Sequence, residues 1–61
     1  MTFEEQVETV ATALSGLDSA SDRRKVWFMY LQDVSYSRGA LCEALNRLEL
    51  SDDFEYREVV S

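Results

Sequence analysis

The spacing of the apolar residues constrains the fold of this chain more than any other feature. In the first part of the sequence they recur at alternating intervals of four and three, a period that matches one face of an α-helix. The positions are Phe3, Val7, Val10, Leu14 and Leu17. Thr2 and Glu5 fit a capping box at the start of this helix, and Gly16 suits a left-handed C-cap. The sequence therefore predicts a first helix over residues 3–15.

A second helix is predicted over residues 21–34. The preceding segment is rich in serine and aspartate, which favour loops, and Ser19 or Ser21 is the expected N-cap. Residues 26–31 are six consecutive apolar or aromatic residues, and these cannot all lie on one side of a helix. More than one face of this helix therefore requires burial, against the other helices or against another molecule.

A third helix is predicted over residues 38–49, after a short serine-rich loop at residues 35–37. Apolar residues again recur at helical spacing. They are Ala40, Leu41, Ala44, Leu45 and Leu48. Beyond Leu50 the pattern is compatible with a short helix or a strand, and we expect an irregular or short-strand C-terminal tail.

Together these elements predict an all-α fold, a compact three-helix bundle that forms one small helical domain over residues 1–61. With one cysteine and no histidine, the chain lacks the disulfide bond or structural zinc site that often stabilises a small domain. The expected core consists of Phe3, Val7, Val10, Leu14, Val26, Tyr30, Leu31, Val34, Leu41, Leu45 and Leu48. That core leaves a surplus of large apolar residues, namely Trp27, Phe28, Met29, Phe54 and Tyr56. Either the tail covers this surplus on helix 2, or it forms an interface with Trp27 and Phe28 as anchors.

Charge is the second informative feature, because twelve acidic residues oppose six basic ones and give a net charge of −6. Such a charge repels nucleic acid phosphates and anionic membranes. The carboxylates concentrate towards the two ends of the chain, and we expect them to contact a partner. The candidates are Glu4, Glu5, Glu8, Asp18, Asp22, Asp52, Asp53, Glu55 and Glu58. The single basic cluster, residues 23–25, is expected to form salt bridges within the protein or with its partner.

The side chains that usually build an active site are scarce. Without histidine, Cys42 has no partner of that kind to activate its thiol, so we expect it to be a small, partly buried apolar residue. The carboxylate pairs lack the spacing of a calcium-binding loop. The sequence therefore predicts a protein that is not an enzyme and holds no cofactor or metal. It also shows no secretory signal and no long apolar run, so the cytoplasm is the expected location.

Three functions are compatible with these features. In size and acidity the chain resembles the small inhibitors that phages carry against host defences, anti-CRISPR proteins among them. That resemblance implies an acidic protein-binding module that blocks a basic surface of a nucleic-acid-handling protein, with mimicry of nucleic acid as one means of doing so. The first alternative is a helix-turn-helix DNA-binding transcriptional regulator. Its apolar contacts would be Leu31, Val34, Tyr36, Leu41 and Ala44, and its groove residues Arg38, Asn46 and Arg47. The second alternative is an assembly subunit that forms a homo-oligomer.

Overall fold

The computed structural model describes residues 1–50, and over this range the chain forms three α-helices. They are α1 (Phe3–Ser15), α2 (Ala20–Gln32) and α3 (Arg38–Arg47). The predicted all-α three-helix bundle is confirmed, with no strand in this part of the chain. The predicted C-terminal tail lies outside the described residues. None of the three helices is long and apolar enough to cross a bilayer.

Helix α1 begins at the predicted capping box. The Thr2 hydroxyl accepts a hydrogen bond from the N–H of Glu5 at 3.1 Å, and the Glu5 carboxylate accepts one from the N–H of Thr2 at 3.0 Å. The prediction of a left-handed Gly16 was wrong, because its φ is −86°. Instead, the N–H of Leu17 donates to the carbonyl of Leu14 at 3.1 Å, which closes the last turn without a left-handed residue.

Helix α2 starts after Ser19, one of the two predicted caps, and ends two residues earlier than predicted. Its end is set by Asp33, whose backbone is extended and whose Oδ1 accepts a hydrogen bond from the N–H of Ser35 at 2.9 Å. This local bond offers the backbone an alternative to another helical turn. Val34 consequently lies in the loop with its side chain fully exposed, at 101%, so its assignment to the core was wrong.

Helix α3 is capped by Ser37, whose hydroxyl accepts a hydrogen bond from the N–H of Ala40 at 3.1 Å. It ends at Arg47, also two residues earlier than predicted. Glu49 has a φ of 55°, in the left-handed region. Its N–H donates to the carbonyl of Asn46 at 3.2 Å, and the N–H of Leu50 donates to that of Leu45 at 2.9 Å. These two bonds form a Schellman motif.

The core lies between all three helices and contains the largest aromatic side chain of the protein. The fully buried residues are Val7, Val10, Leu14, Trp27, Ala40, Leu41, Ala44 and Leu45. Trp27 was left out of the expected core, and that part of the prediction was wrong. Its indole N–H donates to the carbonyl of Leu41 at 3.3 Å, so the one polar atom of the ring has a partner inside the core.

Phe3 is the other expected core residue that the structure places differently, because 52% of it is exposed. It lies at the edge of the bundle, where its Cε1 is 3.6 Å from the position that a Cβ on Gly39 would occupy. The remaining expected core residues on α2 and after α3 are partly buried against the core. They are Val26, Tyr30, Leu31 and Leu48.

Candidate functional site

Three of the acidic candidates occupy the first two turns of α1, and all three are exposed. Glu4 is the one with an ion pair, since both of its carboxylate oxygens accept hydrogen bonds from the guanidinium of Arg47. Arg47 also donates from Nε to Glu43 at 3.2 Å. These hydrogen bonds lower the pKa of Glu4 and raise that of Arg47. Glu4 therefore joins α1 to α3.

Glu5 and Glu8 differ in whether their carboxylates already form hydrogen bonds within the described part of the chain. Glu5 belongs to the capping box, and the hydrogen bonds from the backbone and side chain of Thr2 lower its pKa. Glu8 forms no ion pair or hydrogen bond through its side chain with any residue in the range 1–50. Its carboxylate is thus the most available charge at this end of α1.

The other described acidic candidates, Asp18 and Asp22, are exposed near the far end of α1. A helix of thirteen residues is ~20 Å long, so most of the length of α1 separates them from Glu4 and Glu5. The structure therefore places the described candidate carboxylates in two separate groups. The remaining candidates, Asp52, Asp53, Glu55 and Glu58, lie outside the described residues.

The two aromatic anchor candidates on α2 have different environments. Trp27 is buried and cannot serve as a surface anchor in this fold. Phe28 is 39% exposed and packs edge-to-face against Trp27, with ring centroids 5.4 Å apart and an interplanar angle of 84°. Met29, which sequence reasoning counted only as surplus, is 67% exposed. Phe28 and Met29 are therefore the exposed large apolar residues of α2.

Basic side chains border these two residues. Arg24 and Lys25 are exposed and lie one helical turn before Phe28 and Met29, on the same side of α2. Neither pairs with a residue in the described range. Arg23 points inward instead, and its Nη1 donates to the carbonyl of Leu17 at 3.0 Å. We call the surface formed by Arg24, Lys25, Phe28 and Met29 the outer face of α2.

The residues proposed for a helix-turn-helix are only partly arranged as that motif requires. Leu41 and Ala44 are buried, and Leu31 and Tyr36 are half-buried. Val34, however, is fully exposed and does not pack between α2 and α3. Of the groove residues, Arg38 and Asn46 are exposed, as is Arg47, whose guanidinium is held by Glu4 and Glu43. The positive charge that α3 could present to DNA as a recognition helix is correspondingly reduced.

Cys42 is half-buried on α3, and burial raises the pKa of its thiol. A raised pKa lowers the fraction of thiolate, the reactive form, at neutral pH. Within residues 1–50, no three cysteine or acidic side chains lie close enough together to hold a metal ion.

Sequence reasoning missed two contacts that fix the N-terminus of α1 on α3. One is the Glu4–Arg47 ion pair, and the other is the bond from the N–H of Ser37 to Oε1 of Gln6 at 2.8 Å. Both join residues more than thirty positions apart, and no periodicity within a single helix reports such a pairing. Comparisons of the chain with protein-family models, with curated proteins and with solved structures give no match.

Proposed function

We propose that this protein is a small binding module that docks its acidic surface on a basic surface of a nucleic-acid-handling protein and blocks it. In this it would act as phage-borne inhibitors of host defences do, anti-CRISPR proteins among them. The observation that carries the proposal is the availability of Glu8 and Asp18. Both are exposed, and their side chains form no ion pair with the described residues. Asp22 is exposed too, but Lys25 lies one turn further along α2 and offsets part of its charge. Unpaired carboxylates on a chain of net charge −6 steer it towards a basic partner.

The arrangement of these charges favours a protein–protein contact over close imitation of a nucleic acid strand. Duplex DNA carries one phosphate charge per ~1.7 Å of its axis. The described candidate carboxylates instead form two groups separated by most of the length of α1, and Arg47 offsets the charge of Glu4. A basic surface with two positive regions at a similar separation is the partner that fits best.

The proposed mode of action is binding and not catalysis, and the proposed place of action is the cytoplasm. The sequence offers no histidine as a general acid or base. The thiol of Cys42 has a raised pKa, which opposes its use as a nucleophile at neutral pH. A reduced, half-buried thiol is also typical of the cytoplasm.

The proposal can be tested by capture followed by an inhibition assay. Immobilised protein is exposed to a bacterial lysate, and each captured protein is identified by mass spectrometry, purified and assayed for binding to duplex DNA and to RNA. We expect the wild-type protein to inhibit one such partner. Glu8→Lys and Asp18→Lys should each weaken inhibition by roughly tenfold, the size of the coupling between two close charges. The matched control is Glu49→Lys, which makes the same change of charge elsewhere and should inhibit like the wild type.

Two results would contradict the proposal. One is inhibition that persists unchanged in Glu8→Lys and Asp18→Lys, which would show that these carboxylates are not contacts. The other is direct binding of the wild-type protein to duplex DNA in a gel-shift assay at low salt. We expect no shift there, because the net charge repels phosphates. A shift that weakens as salt is added would favour the helix-turn-helix regulator.

A further inference from the structure

The outer face of α2 combines exposed apolar side chains with the main concentration of positive charge in the described chain. Phe28 and Met29 are 39% and 67% exposed, and Arg24 and Lys25 border them. Asp22 lies one turn before Lys25 and offsets part of this charge. Two cations against one carboxylate leave the face positive, on a protein whose net charge is −6.

A second surface also combines exposed apolar side chains with a concentration of charge, but its charge is negative. At the N-terminus of α1, Met1 is 68% and Phe3 is 52% exposed. Around them lie Glu4, Glu5, Glu8 and Glu43, together with Arg47 and the terminal ammonium group. Four carboxylates against two cations leave this surface negative. We call it the acidic end.

These two surfaces are complementary in both charge and apolar character. Both are exposed in the folded molecule, so they do not cover each other within one copy. We propose that they meet between copies, so that the outer face of α2 in one molecule docks on the acidic end of the next. The contact is therefore head-to-tail. A two-fold contact of the outer face with itself would place Lys25 near Lys25 of the other copy, and like charges disfavour that arrangement.

The size of the surfaces sets the expected strength of this association. Stable complexes bury ~800 Å² on each partner. The molecule has 4033 Å² of accessible surface, so a stable contact would need about one fifth of it. Two patches of a few side chains each supply less. The association is therefore weak, and it increases with protein concentration and decreases with salt. It goes beyond the proposed inhibition, because it needs no other protein.

Sedimentation equilibrium of the purified protein tests the proposal. At low salt, over micromolar to millimolar concentrations, the mean mass should rise above the 7.0 kDa of one chain. Lys25→Glu and Glu8→Lys should each weaken association at least tenfold. An equimolar mixture of these two variants should restore it, because the altered acidic end of one matches the altered outer face of the other. Met29→Ser should weaken it without a change of charge.

Matched controls separate this contact from a general effect of net charge. Arg38→Glu makes the same change of charge as Lys25→Glu at an exposed residue away from the outer face. Arg38 adjoins Gly39, which faces Phe3 of the acidic end, so this variant should associate at least as strongly as the wild type, whereas general repulsion predicts weaker association. Glu8→Lys reduces the net charge, so general repulsion alone predicts stronger association, whereas the proposal predicts weaker association. Circular dichroism verifies that each variant is folded. A monomer throughout the concentration range, or a mixture of variants that stays monomeric, would overturn the proposal.

Discussion

Glu49 has a backbone conformation that L-amino acids rarely adopt. Its φ of 55° lies in the left-handed region, where contact between Cβ and the backbone costs about 1–2 kcal/mol. The conformation persists because it allows the two hydrogen bonds of the Schellman motif to form and directs Leu50 towards the core. Helices usually place glycine at this position, since glycine lacks Cβ.

Replacement of Glu49 by glycine should therefore stabilise the protein. The strain relieved in the folded state exceeds the entropic cost of the greater flexibility that glycine gives the unfolded chain. We therefore expect the free energy of unfolding to increase by about 0.5–1 kcal/mol. Thermal unfolding measures it, as an increase of roughly 2–8 °C in Tm for a domain of this size. Glu49→Ala is the control, because alanine keeps Cβ and should leave Tm near that of the wild type. A lower Tm for the glycine variant would show that the carboxylate of Glu49 contributes more than its conformation costs.

The first turn of α1, which includes its ion pair with α3, is the part of the described fold with the clearest dependence on pH. Glu4 and Glu5 both have a lowered pKa in the folded protein, caused by Arg47 and by Thr2 respectively. In this range the unfolded chain binds more protons than the folded one, so stability increases with pH. The contribution of each group is complete above its ordinary value of 4.5 and is lost as the pH falls through the lower folded value.

Urea unfolding between about pH 7 and about pH 3 should show this loss as a decrease in the midpoint concentration. We expect Glu4→Gln to lose less stability over this range than the wild type, because glutamine cannot be protonated there and no longer forms the ion pair. Glu8→Gln is the comparison, since Glu8 has no such partner among residues 1–50, and its midpoint should follow the wild-type curve. Equal slopes for Glu4→Gln and the wild type would mean that the Arg47 pair adds nothing in solution.

The N-cap residues made the starts of the helices predictable from the sequence. The ends of the helices were harder to predict. Thr2, Ser19 and Ser37 cap the three helices as short-range sequence signals indicate. Both α2 and α3 end two residues early, because Asp33 and Glu49 bond locally in ways that apolar periodicity does not report. The same limit applies to the acidic site. Sequence alone identified its exposed carboxylates, but the pairing of Glu4 with Arg47 depends on how α1 packs on α3.

At the scale of the whole molecule, the position of Trp27 organises the core. A count of apolar residues treated it as surplus, but it is fully buried on α2 and donates to Leu41 of α3, whereas Phe3 and Val34 of the expected core are exposed. A domain of 61 residues buries only about 60% of the surface of its unfolded chain, so its stability is small. Trp27 is the largest of the fully buried side chains, so it buries more apolar area than any other single residue of the core.

Trp27→Phe should destabilise the protein by roughly 1–3 kcal/mol, because it removes the hydrogen bond to Leu41 and leaves a cavity beside it. Urea unfolding followed by circular dichroism measures the change. Phe28→Leu is the reference, because Phe28 is 39% exposed, and it should cost less, since a smaller side chain at the surface leaves no enclosed cavity. If Phe28→Leu proved the more damaging change, the assignment of Trp27 to the centre of the core would be contradicted.

The burial of Trp27 has a further consequence for experiments on this protein in solution. It is the sole tryptophan of the chain, so the indole emission comes from the core alone. Unfolding exposes that ring to water and should shift its emission to longer wavelengths. Docking at the acidic end or on the outer face of α2 leaves the ring covered and should change the spectrum little. Intrinsic fluorescence will therefore distinguish a variant that has lost its fold from one that has lost its partner.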